Sequence, residues 1–371
     1  MATAHLRRVG APLRGLAIGL RTQSWPAHSH LFVAGDGNEW AIADDAAEVA
    51  RIAASLGVAV GPERWIARVR NQSVFHTSQF TLIGLPFERN RNRLGVGYLH
   101  GRPGTPGMPD FDICYETVRR RHEELDRVQV SNRAMEEIVL GTGIAPEKVF
   151  RIPIGVDTAR FRLRDAASRA EARRALGLPE SAFVVGSFQK DGVGWGEGLE
   201  PKLIKGPDVL LDVAGRLVRD VPETRVLLTG PARGYVAAGL ERLGIPYDRV
   251  LLPDLDAVAR AYRAIDLCLV TSRDEGGPKA VLESMATGLP LVTTRVGQAA
   301  DLVRDGENGR LLDVEDAAGL AFASVQVARA PAAELARLAA AARETAEANS
   351  WQALRPRWAE LFTGFVAMGR S

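Results

Sequence analysis

The stretch from residue 182 to residue 294 alternates short, uninterrupted apolar runs with segments whose apolar residues have helical spacing. Uninterrupted apolar runs indicate strands buried on both faces, and their alternation with helices is typical of a parallel sheet in an α/β domain. Ligands bind such sheets at the carboxyl ends of the strands, so the loops that follow are expected to line one rim. We predict strands over 182–188, 225–230, 250–252, 265–270 and 290–294.

The first 155 residues contain a second series of the same kind. A chain of 371 residues exceeds what one hydrophobic core usually supports. We therefore expect two α/β domains, over 1–155 and 156–350, and a final helix over 351–371 that crosses back to the first domain. The extended segment 149–157, which contains Pro and Gly, is interpreted as the connection. Further strands are predicted over 16–20, 31–34, 73–76, 94–100 and 127–131, helices over 46–56 and 115–125, and a loop over 101–109.

Composition narrows the class of function. The formal net charge of +2 gives no reason to expect a nucleic-acid partner. Cys114 and Cys268 form no disulfide framework, and no His/Cys/Asp cluster predicts a metal site. The apolar run at 16–20 is too short for a signal peptide, so a cytoplasmic protein is expected. Arginine clusters are interpreted as solvated surface, with loose contact with a membrane surface as the alternative. They lie at 64–70, 89–93 and 119–121.

The segment 272–283 carries the strongest functional signal. It follows a predicted strand, contains Gly276 and Gly277, and opens a helix with Pro278 near the first position, where proline is tolerated. The N-terminus of a helix has unpaired N–H groups and a partial positive charge, so it can hold phosphate oxygens. The glycines would let a ligand approach the backbone closely. This segment therefore predicts an anion site.

Two carboxylates, Glu275 and Glu283, bracket this anion site. Eight helical steps span roughly 12 Å, whereas paired catalytic carboxylates lie about 5–9.5 Å apart. The spacing favours two contacts with one elongated ligand that has a diphosphate in its middle. A nucleotide-sugar has that form, and carboxylates accept hydrogen bonds from its ribose and sugar hydroxyls. The alternative is that both glutamates are ordinary loop and helix charges.

Lysine is rare in this arginine-biased chain, with five residues in total. Four of the five fall between residues 190 and 279. A compact ammonium suits a phosphate, so this concentration of lysines indicates where a phosphate would bind. The lysines are Lys148, Lys190, Lys202, Lys205 and Lys279.

The segment 275–283 matches the E-x7-E motif of the family-four glycosyltransferases, and three further segments, 284–292, 305–312 and 152–157, resemble other motifs of that family. The resemblance is strong over 149–315. It implies the GT-B fold, in which two Rossmann-like domains with parallel sheets face each other across a cleft. It also implies metal-independent transfer, with retention of configuration, of a hexose-type sugar from a UDP-, GDP- or ADP-sugar. The acceptor would be a hydroxyl of a glycan, glycolipid or small molecule, and no cofactor is required.

The resemblance also implies roles for individual residues. Glu275 would contact the donor sugar, and Lys205, which precedes Gly206 as in the family, would contact the phosphates. His100, at the end of a predicted strand, would lie beside the donor sugar, and His76 is similarly placed. The candidate catalytic residues are thus Glu275, His100 and Lys205. The donor-binding candidates are Glu283 on the ribose, together with Lys190, Gly276, Gly277, Pro278, Lys279 and Ala280.

The chain departs from the family pattern at several positions. Ser187 stands where the family has an arginine, and Lys190 or Lys202 is expected to supply that charge. The segment 191–201 is longer than usual, Asp301 replaces a glutamate, and the candidate for the N-terminal glycine-rich loop is 10–15. Two alternatives therefore remain: a non-catalytic nucleotide-sugar-binding protein, and a nucleotide-sugar epimerase of the same fold.

Overall fold

The computed structural model describes residues 26–35, 41–84 and 91–367. They form two units. The N-terminal unit consists of the described residues up to 130, residues 134–152 and residues from 355 onwards; the C-terminal unit consists of residues 131–133 and 153–354. The predicted strand at 16–20, the candidate loop at 10–15 and Arg89 lie outside the described residues. Among those described, no helix is both long and apolar enough to cross a membrane.

Each unit contains one parallel sheet, with six strands among the described residues. In the N-terminal unit the strands are β1 His30–Ala34, β2 Ala59–Gly61, β3 Ser73–His76, β4 Arg93–Tyr98, β5 Arg127–Val130 and β6 Val149–Arg151. In the C-terminal unit they are β7 Phe183–Ser187, β8 Thr224–Thr229, β9 Tyr247–Val250, β10 Leu267–Val270, β11 Leu291–Thr294 and β12 Arg310–Leu312. The spatial orders are β2-β1-β3-β4-β5-β6 and β12-β11-β10-β7-β8-β9.

The helices that lie between strands of the same sheet provide the crossover connections that parallel strands require. Their bounds are α1 Ala41–Ser55, α2 Pro109–Arg121, α3 Arg133–Leu140, α4 Ala166–Leu176, α5 Pro207–Asp220, α6 Gly234–Arg242, α7 Leu255–Ala264, α8 Lys279–Thr287, α9 Ala299–Leu302, α10 Ala317–Arg329, α11 Ala332–Ala348 and α12 Trp351–Phe362. Buried apolar side chains cover the C-terminal sheet in two clusters. This sheet is thus covered as its apolar strands predict.

The strand order of the C-terminal sheet determines where a ligand can bind. The chain runs outward from β7 through β8 to β9, and then returns to place β10 on the other side of β7. In an open parallel sheet, the loops after two such strands diverge and leave a crevice between them. The loops that follow β7 and β10 therefore flank the expected site, and the second of them is the start of the segment 272–283.

The predicted α/β class with two parallel sheets is confirmed, and the differences are local. The segment at 149–157, predicted as a connection, begins with strand β6, which pairs with β5 at the edge of the sheet. Helix α2 starts at Pro109, six residues before its predicted start. The short strands β2 and β12 were not predicted, because three residues are too few to show periodicity.

Residues 355–367 pack within the N-terminal unit. Trp358 is fully buried, with its ring edge-on to Phe75 at 5.6 Å between centroids. Arg127 donates to the carbonyls of Leu361 and Thr363. Trp351, at the start of α12, is only half-buried and belongs to the C-terminal unit, where it packs against Gly155. Of the two tryptophans on α12, Trp358 is therefore the fully enclosed one.

Candidate functional site

The loop after β10 is held against the segment 203–205 by Arg273. Its guanidinium forms two hydrogen bonds of 2.7 Å with Asp208 and a third, of 2.8 Å, with the carbonyl of Leu203. Glu315 accepts a further bond of 2.7 Å from Nε. A planar guanidinium that uses all these donors fixes its neighbours in one geometry. Arg273 thus positions the two chain segments that carry Glu275 and Lys205.

Glu275 and Lys205 form an ion pair, with 2.6 Å between Oε1 and Nζ. The hydroxyl of Ser272 donates to the same carboxylate oxygen at 3.0 Å. Gly206 permits this approach: it has a φ of +62°, and a Cβ there would collide with the carbonyl of Thr271. The two residues that the sequence assigned separately to sugar and phosphate are therefore in direct contact.

Lys190 and Lys202 lie within electrostatic reach of Lys205. Burial lowers the pKa of both ammonium groups, and the charge of Lys205 lowers each pKa further. Glu275 raises the pKa of Lys202 by its opposite charge. Three ammonium groups against one carboxylate leave two positive charges in this cluster, which we call the lysine cluster. It comprises Lys190, Lys202, Lys205 and Glu275.

Glu283 lies on α8 and accepts a hydrogen bond of 2.9 Å from the hydroxyl of Tyr262 at Oε2. Tyr262 is fully buried, and the ring of Phe188 stacks on it at 4.0 Å between centroids. Burial raises the pKa of Tyr262 well above its usual value, and the Glu283 carboxylate raises it further, so the phenol stays a donor. Tyr262 fixes the orientation of Glu283, and no sequence motif had indicated it.

The backbone between the two glutamates is anchored on its carbonyl side. The carbonyl of Gly276 accepts hydrogen bonds from the side chains of Ser131 and Asn132, at 2.9 Å each, and from the N–H of Gln298 at 2.8 Å. A Cβ on Gly277 would lie 2.7 Å from the amide oxygen of Gln298. The absence of a side chain at Gly277 is therefore required by packing inside the protein.

Helix α8 begins at Lys279, with Pro278 in extended conformation at the N-cap position. Ala280 is buried in the first turn, whereas Lys279 is half-buried. The start of the helix thus follows the loop after β10 directly, as predicted. The donor-binding roles assigned to Gly276–Ala280 remain predictions.

The arginine that the resemblance placed after Gly186 has no direct substitute at that position. Ser187 there is fully buried, and its carbonyl and hydroxyl accept hydrogen bonds of 2.7 and 2.8 Å from Arg233. Arg233 is fully buried as well and forms an ion pair with Asp191, with 3.0 Å between Nε and Oδ1. Arg233 is therefore engaged in the interior, and the positive charges that interact with Lys205 are those of Lys190 and Lys202.

His100 and His76 lie in the N-terminal unit: His76 is the last residue of β3, whereas β4 ends at Tyr98, two residues before His100. The carbonyl of His100 accepts a 2.6 Å bond from Gln79, and its ring packs edge-on against Phe80 and Phe111. Burial lowers the pKa of His76 to about 4, so this ring is neutral at physiological pH. The role of His100 beside a donor sugar remains a prediction.

Cys114 and Cys268 are buried free thiols, and burial raises the pKa of each to about 12. Such thiols are unreactive. Within the described ranges, no group of three or more His, Cys, Asp or Glu side chains could hold a metal ion.

Comparison with known proteins yields one family. A model of the family described as Glycosyl transferases group 1 matches residues 197–329. A D-inositol 3-phosphate glycosyltransferase of Thermomonospora curvata is 33% identical over 305 residues, which cover 74% of this chain and 67% of the relative. Another, of Geodermatophilus obscurus, is 35% identical over 250 residues, 62% of this chain and 50% of the relative. The alignments thus span from half to two thirds of these relatives' lengths.

Solved structures share the fold. HepE of Anabaena, in complex with UDP and glucose, has a TM-score of 0.73 at 17% identity, over 91% of this chain and 99% of that one. Sucrose-phosphate synthase of Thermosynechococcus elongatus has a TM-score of 0.66 at 19% identity, over 95% of this chain and 92% of that one. The predicted GT-B fold is confirmed by this likeness.

Proposed function

Because this chain belongs to the group 1 family of glycosyltransferases, we propose that it moves a hexose-type sugar from a nucleotide diphosphate sugar to a hydroxyl acceptor, with retention of configuration. The observation that supports this proposal most directly is the lysine cluster, together with Glu283 on α8. The donor is proposed to bind along the loop after β10 and the first two turns of that helix.

The charge of the lysine cluster is complementary to a diphosphate. A nucleotide-sugar carries two negative charges on its diphosphate, and the cluster has two positive charges that the Lys205–Glu275 pair does not balance. Bond cleavage leaves a further negative charge on the departing nucleoside diphosphate. Ammonium groups already in place stabilise that charge as it develops, and this is the chemistry that a leaving diphosphate requires. The chain's own lysines can thus stabilise the leaving group without a metal ion.

The two glutamates differ in their neighbours, which supports different roles. Glu275 lies among charged groups, between Lys205 and the hydroxyl of Ser272. It is proposed to accept hydrogen bonds from the transferred sugar at the diphosphate end. Glu283 lies beside the buried pair of Phe188 and Tyr262. It is proposed to accept hydrogen bonds from the ribose, because an ionised carboxylate has about four lone-pair sites and can accept from hydroxyls as well as from Tyr262.

The similar proteins indicate which nucleotide and which acceptor should be tested first. HepE binds UDP and glucose, so UDP and UDP-glucose are the first nucleotides to test. The curated relatives are named for D-inositol 3-phosphate, which makes this compound the first acceptor to test. GDP and ADP should be tested together with UDP, because no side chain described in this region indicates which base the site would recognise.

We expect a nucleoside diphosphate to raise the melting temperature, and Glu283→Ala to abolish the rise. Binding at 100 times the dissociation constant stabilises the folded state by about 2.7 kcal/mol. Differential scanning fluorimetry with UDP, GDP and ADP measures the shift. Glu171, an exposed glutamate on α4, provides the control, because Glu171→Ala should keep the full shift. The absence of a shift with all three nucleotides would refute the donor site.

A further inference from the structure

Residues 191–201 form a closed loop between Lys190 and Lys202 of the lysine cluster, which we call the 191–201 loop. Its two ends pair with each other through a bridge between Gly192 and Pro201. The N–H of Lys202 donates to the carbonyl of Asp191 at 2.8 Å, and the N–H of Val193 donates to that of Glu200 at 2.9 Å. The two ends of the loop therefore lie side by side, next to Lys190 and Lys202.

The base of this loop is fixed to the C-terminal unit. Gly192 and Gly198 lie so close to the backbone of Ala232 that a Cβ on either would collide with it. The carbonyls of Glu197 and Gly198 accept hydrogen bonds of 2.7 and 2.9 Å from the first two N–H groups of α6. These contacts occupy N–H groups that a helix otherwise leaves unpaired. The loop is thus a rigid support.

Its tip presents Trp195 to solvent, with 55% of the residue exposed. The Lys190 ammonium lies over this ring, 4.4 Å from its centroid. Among the described residues, no side-chain hydrogen bond or ion pair holds that ammonium. The face of an indole attracts a cation, and tryptophan does so more strongly than tyrosine or phenylalanine. The ring is therefore the contact that holds Lys190 in place.

Lys190 needs such a contact because its charged neighbour repels it. The charge of Lys205 lowers the pKa of Lys190, and a flexible lysine side chain would relieve that repulsion by turning toward solvent. An ammonium has three donors, so one side can rest on the ring while the others remain free for an anion. The ring thus offsets the repulsion without neutralising the charge.

We propose that Trp195 is a positioning residue, which holds the Lys190 ammonium in the lysine cluster so that it contacts the diphosphate of the donor. This inference rests on the proposed function and adds a specific part to it. The 191–201 loop supplies the support, Trp195 supplies the contact surface, and Lys190 supplies the third cation of the site.

A double-mutant cycle tests the coupling of the two residues. UDP affinity is measured by isothermal titration calorimetry on the full chain, with GDP or ADP instead if one of those gives the larger thermal shift. We expect Lys190→Met to weaken binding about tenfold, because it removes a charge-assisted contact. Trp195→Leu should weaken it about two- to fivefold, whereas Trp195→Phe, which keeps a ring, should retain most of the affinity. In the Lys190→Met background, Trp195→Leu should have no further effect.

The outcomes separate this inference from the proposed function. If the wild-type chain binds none of the three nucleotides, the proposed function fails. If it binds one but Trp195→Leu leaves the affinity unchanged, the inference is wrong. An equal loss from Trp195→Leu with and without Lys190 would show that the tryptophan acts through loop structure alone, which also overturns the inference. Circular dichroism and the melting temperature of each variant establish that the variants are folded.

Discussion

The Glu275→Ala variant is expected to lose about 10²- to 10³-fold in kcat, the typical effect of removing one group that stabilises a transition state. UDP affinity should stay the same or increase. The reason is the ion pair of 2.6 Å between Glu275 and Lys205: in the absence of the carboxylate, Lys205 has its whole charge available for the diphosphate. Transfer assays with UDP-glucose and calorimetry with UDP measure the two quantities separately.

Matched variants sharpen this prediction. Lys205→Ala should lower both kcat and UDP affinity, because the lysine is proposed to bind the phosphates in the ground state as well as in the transition state. Glu275→Gln, which keeps the shape but not the charge, should lie between wild type and Glu275→Ala in kcat. Glu307→Ala, which breaks a surface pair with Arg304, provides the control. An equal loss of transfer and of UDP affinity in Glu275→Ala would contradict the division of roles.

The sequence predicted the elements of the C-terminal unit well because its strands are apolar without interruption. Strands β7, β8, β10 and β11 lie within or next to their predicted ranges, and α8 begins one residue after Pro278. Periodicity does not reveal which strands are neighbours. The placement of β10 beside β7, which brings the loop after β10 next to the lysines, is a property of the sheet order alone.

The candidate site was predicted as separate residues and not as an arrangement. Spacing along the chain identified Glu275 and Glu283, and the resemblance identified Lys205. Neither indicated that Glu275 pairs with Lys205, because 70 residues separate them in the sequence. Tyr262 and Trp195 were missed for the same reason: a buried tyrosine and an exposed tryptophan have no motif, and their importance comes only from the groups they contact.

The 191–201 loop also explains why the sequence interpretation of Ser187 was incomplete. The serine was noted as the loss of an arginine, but its carbonyl and hydroxyl bind Arg233, which in turn pairs with Asp191 at the start of the loop. The serine therefore belongs to the support of the loop that carries Trp195. A small side chain at this buried position leaves room for the guanidinium, whereas a second arginine would place another charge beside it.

Asp191→Ala is expected to destabilise the C-terminal unit by about 3–5 kcal/mol, the usual cost of removing one partner of a buried ion pair. Both side chains are fully buried. Burial raises the pKa of Asp191 and lowers the pKa of Arg233, so burial disfavours each charge and each needs the other. Arg233→Met should cost at least as much, because it also leaves the carbonyls of Ser187 and Thr229 without their donor.

Replacing both charges together distinguishes an essential pair from a stabilising one. Asp191→Leu combined with Arg233→Met should recover much of the loss, because two apolar side chains have no charge to desolvate. Urea unfolding followed by circular dichroism measures these changes in the free energy of unfolding. The transition of the C-terminal unit is identified as the one that UDP shifts to higher urea concentration. Asp212→Ala, which breaks the exposed pair with Arg216, provides the control and should scarcely move the midpoint. If Asp191→Ala were as stable as this control, the ion pair would not anchor the 191–201 loop, and the rigid support proposed for Trp195 would have to come from Gly192, Gly198 and the N-terminus of α6 alone.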